Sequence, residues 1–207
     1  MKNSPLNETL SSLIDLIFAG ILWCVCSLPV LTAGPASTAL YYSIVKCVRR
    51  DRGRLLPVFF GALKSNFKDS LYLWLLFLLY VLVGAGDAWA FKRMGVAEGS
   101  VLYFISRIYF IPGLLVLPWI FPYVSRFKNG LRASLHFLLY LSFSRFRRTV
   151  LLSLLLWGGV LICYLIPVLL PFIAGPLCLV SSLIIEPVFR EITSSGESGE
   201  GDKWYNE

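Results

Sequence analysis

Asp15 is the acid best placed to do chemistry, because it stands near the start of the first apolar run. An ionisable side chain deep in a membrane span is costly and usually functional. One or two turns from the end of a run, it equally suits an interfacial place facing headgroups, and that plainer reading is preferred. Thr38, Tyr41 and Tyr42 are the other polar side chains able to face an intramembrane cavity. The cysteines Cys24, Cys26, Cys47, Cys163 and Cys178 lie in or beside apolar segments, where a thiol packs as a small hydrophobe. Cys24-x-Cys26 matches no zinc spacing and the single histidine, His136, is distant, so no metal site is expected. Nothing resembles a phosphate-binding glycine loop, a HExxH pair, a Gly-x-Ser-x-Gly elbow or a triad. The chain therefore reads as non-enzymatic, with no catalytic residue and no cofactor.

Two basic and aromatic collars are the remaining candidates. One contains Arg49, Arg50, Lys64, Phe67 and Lys68, with Phe59 and Phe60; the other contains Arg145, Phe146, Arg147 and Arg148, with Phe143. Aromatic rings anchor at a membrane interface, and Lys or Arg beside it attracts anionic headgroups by about 1 kcal/mol each. Ordinary lipid contact accounts for both collars; the sharper alternative is a docking surface for a protein partner. Nucleic acid is not expected as a ligand, because lipid phosphates compete for the same charges.

The elements that must position these residues are membrane helices. Of the 207 residues, 57% are hydrophobic and 15% charged, and the mean hydropathy is +0.73. Soluble domains carry about 45–50% apolar and about 25% charged residues. The excess collects in the runs 71–85, 108–124, 150–168 and 177–185, and about 20 apolar residues of helix cross a bilayer core. The expected fold is all-α: a polytopic transmembrane bundle of five or six membrane segments plus short interfacial helices. Residues 1–190 read as one integral membrane domain, and 191–207 as an acidic, disordered cytoplasmic tail. The N-terminus lacks the marks of a cleavable signal peptide.

Charge fixes the expected orientation. Lys46, Arg49, Arg50, Arg52, Arg54, Lys64 and Lys68 crowd the loop 46–68, and Arg126, Lys128, Arg132, Arg145, Arg147 and Arg148 the loop 125–148. Both loops should be cytoplasmic, and the balanced stretch 86–100 external. Arg107 is expected to snorkel to the outer surface. After Arg148 the chain should cross outwards over 150–166, turn at Pro167, Pro171 and Gly175-Pro176, and return over 169–185. Segment 36–48 is only about 20 Å of helix. If it crosses, there are six spans; if it lies at the interface or re-enters, there are five, the preferred count. Prolines and glycines at Pro112-Gly113, Pro118, Pro122, Gly158-Gly159 and Pro167 also permit discontinuous helices around a transport site.

An internal echo links two segments. Ser65-Asn66-Phe67-Lys68-Asp69-Ser70 and Ser144-Arg145-Phe146-Arg147-Arg148-Thr149 share a serine, phenylalanine, basic and hydroxyl pattern, each opening an apolar helix. Leu28-Pro29 and Leu117-Pro118 lie upstream, each followed by a short apolar segment, 36–48 and 131–143. Two parallel units are the reading this suggests.

Leu22-Trp23, Cys26 to Gly34, Ser37 to Tyr42 and Lys46, then Phe59-Phe60, Lys64 to Lys68, Phe121-Pro122-Tyr123 and Arg126 to Asn129, carry a family likeness. Over roughly residues 10 to 170 the chain resembles the YesL-like family of bacterial integral membrane proteins. The most specific stretch runs from Pro29 to Tyr42; Pro35 stands where the family more often has a small residue. The resemblance implies a bacterial cytoplasmic membrane and a gene neighbourhood of carbohydrate ABC-type uptake. ABC-transporter permease subunits are thus the implied partners, beside a bilayer with anionic headgroups. It implies no site residues. The expected role is a non-enzymatic accessory to sugar uptake, with a small transporter or channel as the alternative.

Overall fold

The computed structural model describes residues 5–95, 100, 101, 104, 108, 110–128 and 130–194. The described residues are helices joined by short turns: α1 (Pro5–Ser27), α2 (Ala33–Ser43), α3 (Leu55–Ser65), α4 (Phe67–Arg93), α5 (Phe110–Arg126), α6 (Leu131–Ser144), α7 (Phe146–Leu165) and α8 (Leu170–Ser194). A π-helical turn, Ile44–Val48, prolongs α2. By length and composition, Phe67–Arg93, Phe146–Leu165 and Pro167–Thr193 can cross a membrane; Ser11–Ser27 and Leu55–Ser65 are apolar but shorter. In those three spans only 11%, 22% and 17% of the most apolar stretch is buried inside the protein. Leucines such as Leu75, Leu79, Leu82, Leu151, Leu154 and Leu161 face outwards, which is stable only where the surroundings are hydrocarbon. Among the described residues three helices therefore meet the length criterion, against the five or six segments expected. Segment 101–109, which would lead into α5, is described only in part, and Arg107 lies outside the described residues.

Two cores hold the bundle. In the first, Leu16 and Ala19 of α1, Ala39, Leu40 and Ile44 around α2, and Leu55, Phe59 and Ala62 of α3 pack together. In the second, Trp119, Tyr123 and Phe127 at the end of α5 meet Leu138 and Leu141 of α6, Leu152 of α7 and Phe189 of α8. Helices α1 and α8 approach until their backbones touch. A methyl group added at Gly175 would strike the Leu16 carbonyl oxygen, and one at Gly20 would strike that of Pro171. Small residues permit such an approach.

The structure corrects several expectations. Gly175-Pro176 marks no turn. The reversal is Ile166 with the 3-10 turn Pro167–Leu169, while Pro176 lies inside α8. Helix α5 runs through Pro118 and Pro122, and α7 through Gly158-Gly159, so none of these positions breaks a helix. Helix α8 continues to Ser194 and buries Ile192, which makes the first four residues of segment 191–207 helical. Residues 195–207 lie outside the described residues.

The echo has a structural counterpart, in a different register. Helix α3 ends at Ser65 and α4 starts at Phe67; α6 ends at Ser144 and α7 starts at Phe146. At both corners the junction residue donates its N–H four residues back, Asn66 to Ala62 (3.1 Å) and Arg145 to Leu141 (3.1 Å). Both corners then bury the hydroxyl residue, Ser70 or Thr149. The Leu-Pro match does not extend it, since Pro29 lies between helices and Pro118 inside one. The counterpart of α6 is thus α3, and not the segment 36–48.

Candidate functional site

The basic end of the bundle holds a buried charge cluster built by three helices. Tyr41 comes from α2, Arg126 from the last turn of α5 and Glu186 from α8. The Arg126 and Glu186 side chains are 1% and 2% exposed, with Nη1 and Oε2 3.8 Å apart. That is an ion pair beyond hydrogen-bond reach. The Tyr41 hydroxyl donates to Glu186 Oε1 at 3.2 Å. The Arg126 guanidinium lies 5.3 Å from the Phe189 ring centre and 5.7 Å from that of Phe127, a cation–π seat on both sides. Arg49 Nη1 donates to the Ser182 carbonyl at 3.0 Å, one turn along α8. Burial pulls the nearby Arg50 guanidinium below its ordinary range, aided by Arg190, Arg126 and Arg52 and opposed by Glu186.

The expectations missed this cluster, although a signal exists. Glu186 is the lone acid between Val150 and Arg190, but it stands just past the apolar run that ends at Ile185, where no burial is expected. Trp119, Tyr123 and Arg126 recur at helical spacing and share a buried face. By charge alone Arg126 marks orientation and nothing more. A buried pair with these seats orders the three helices that meet there.

The four polar candidates disperse. Tyr41 joins the cluster. Thr38 is buried and accepts from the Ser70 hydroxyl at 2.8 Å, which ties α2 to the first corner. Tyr42 is half-buried and accepts from Lys46 Nζ at 3.3 Å. Asp15 is half-buried on α1, beside the Leu16 and Ala19 core. Above the cluster lies a cavity of about 310 Å³ between α2, α4, α5, α7 and α8. Its wall includes Trp74, Leu117, Phe121, Leu156, Val160 and Leu177, and of the four candidates only Tyr41 reaches it. The Ser37 and Ser181 hydroxyls on its wall donate to Ala33 and Cys178 carbonyls in their own helices.

The collars differ. Lys64, Phe67 and Lys68 are exposed around an open groove of about 760 Å³ at the first corner. Arg49 and Arg50 are half-buried and turned to the charge cluster. At the second corner Arg145 Nη2 donates to Glu191 Oε1 at 2.5 Å, and Arg148 Nη1 stands 4.0 Å from Oε2 of the same carboxylate. Arg147 and Phe146 are exposed there. Among the described residues no His, Cys, Asp and Glu group could hold a metal ion.

Outward-facing apolar helices around buried, mutually compensated charges define an α-helical integral membrane protein. Residues 16–87, which run from α1 to α4, match the family described as "Protein of unknown function, DUF624". That match is consistent with the resemblance to the YesL-like family. No curated protein and no solved structure matches the chain.

Proposed function

We propose that this chain is a non-enzymatic, multi-pass accessory protein of the bacterial cytoplasmic membrane that associates with a permease of carbohydrate ABC-type uptake. The observation that carries the non-transporting reading is the interior chemistry. The buried charges are committed to one another, Arg126 to Glu186 with Tyr41. The cavity beside them has an apolar wall whose serine hydroxyls bond within their own helices. A solute transporter instead needs polar groups free to replace the hydration of its cargo. The choice of partner rests on the gene neighbourhood implied by the family resemblance. The loops 46–68 and 125–148 face the cytoplasm in this reading, as does the tail.

Purification of the tagged protein from its native host in gentle detergent, with mass spectrometry of what accompanies it, tests the proposal. Permease subunits should be recovered in stoichiometric amount. Arg147→Glu, which alters an exposed charge and leaves the Glu191 contacts in place, should weaken that recovery if the second collar docks the permease. Recovery of this protein alone, together with solute flux after reconstitution, would overturn the accessory role in favour of a transporter.

A further inference from the structure

We propose that the groove at the α3–α4 corner is a binding site for the phosphate headgroup of an anionic membrane lipid, held between Lys64 and Lys68. Helix α3 lays Leu55, Phe59 and Ala62 on the first core and leaves Phe60 and Lys64 outside. One face in protein and the other in the headgroup layer is the arrangement of an interfacial helix. The corner at Asn66 then turns the chain into α4, the 27-residue span that starts at Phe67. The groove therefore sits where a span meets its polar boundary, which is the level of lipid phosphates.

Its walls suit such a ligand. Phe60, Leu63, Lys64, Phe67, Lys68 and Asp69 line it. The ring of Phe60 is braced edge-on by the fully buried Phe59, with centroids 5.7 Å apart at 84°. It thus offers a fixed apolar surface to the glycerol and upper acyl carbons. Two ammonium groups against the single carboxylate of Asp69 leave the groove positive, complementary to a phosphodiester and unsuited to a zwitterion's outer ammonium. Neither lysine forms an ion pair with the described residues at this corner, in contrast to Arg145 and Arg148, which share Glu191. The second corner is thus the internal control that the fold itself supplies. The site is independent of any permease.

The test is native mass spectrometry of the full-length protein in detergent, titrated with phosphatidylglycerol or phosphatidylcholine of matched chains. Wild type should prefer phosphatidylglycerol, and rising salt should reduce that preference. Lys64→Ala with Lys68→Ala should lose about 30-fold of it, at roughly five-fold per lysine. Arg147→Ala should change it by less than about two-fold on the same scale. Lys64→Arg with Lys68→Arg keeps the charge and should retain the preference, which covers the case in which the alanine variant fails to fold. Equal affinity for the two lipids, or equal loss from both corners, would overturn the proposal. So would displacement of the lipid by millimolar inorganic phosphate, since the groove would then be a soluble-anion site. Displacement by a polyglutamate peptide at concentrations that leave bulk lipid binding intact would instead identify the groove as a seat for an acidic protein segment, and would also overturn it.

Discussion

The α3–α4 and α6–α7 corners start from nearly the same residues, fold into nearly the same turn, and finish in different electrostatic states. Asn66 and Arg145 both break a helix for one residue, and Ser70 and Thr149 both turn a hydroxyl into the protein. The difference comes from α8. Its Glu191 reaches the second corner and compensates Arg145 and Arg148, while the first corner keeps Lys64 and Lys68 exposed. One turn and a residue earlier, Glu186 accepts from Tyr41 of α2 and pairs with Arg126 of α5, the helices that support the two corners. A shared local sequence thus sets the corner, and a distant helix sets what the corner can bind.

The most damaging change should be Glu186→Ala, which strikes both halves together. It leaves Arg126 buried without its counter-charge and Tyr41 without an acceptor, at about 3–5 kcal/mol. Thermal unfolding in detergent should show a large fall in midpoint for this variant. The double replacement Arg126→Met with Glu186→Leu should recover much of it, because no isolated charge then remains.

Gly175→Ala separates the contributions of α8 to the two halves, since its methyl group would press on the Leu16 carbonyl in α1 alone. A loss of about 1–3 kcal/mol is expected from such overpacking. Gly158→Ala provides the contrast, because its added methyl meets nothing within 4 Å. It should be neutral or stabilise by up to about 1 kcal/mol. Equal losses from the two would refute the close α1–α8 contact.

The corners themselves can be compared through their hydroxyls. Thr149 accepts from Trp119 Nε1 at 3.0 Å and lies 3.0 Å from the Ser142 carbonyl. Thr149→Val should leave the buried indole N–H without its acceptor, at about 1–3 kcal/mol. Ser70→Ala should cost less, about 0.5–1.5 kcal/mol, because Thr38 can still donate to the Gly34 carbonyl. The same unfolding measurement ranks them, and a larger loss at Ser70 would break the parallel.

Glu191→Ala should cost little stability, about 0–1 kcal/mol, since its ion pairs are half-exposed. It should nevertheless release Arg145 and Arg148, giving the second corner a phosphatidylglycerol preference of its own in the lipid titration. No gain in that preference would mean that compensation by α8 is not what distinguishes the corners.

The apolar runs alone assign this chain to the helical membrane proteins and mark the middles of its long spans, although α4 extends to Arg93 and α8 to Ser194, well past those runs. Hydrocarbon surroundings require long apolar runs with internally bonded backbones, and those runs are visible at 71–85 and 150–166 without any coordinates. The start of the second helix at each corner was legible too, from the shared serine, phenylalanine, basic and hydroxyl pattern, whereas helix α3 stands where the charge pattern points only to a loop. Which charges are interior follows from how the helices pack and from no single segment. Glu186 and Arg126 are 60 positions apart in chain order (186 − 126), and their burial follows from α5 and α8 meeting at one end of the bundle. The same reason hid Gly175, whose turn-like glycine–proline pair serves a helix crossing instead. Local sequence reports the energy of one segment in its solvent. Whether a residue meets lipid, water or another helix depends on segments far along the chain.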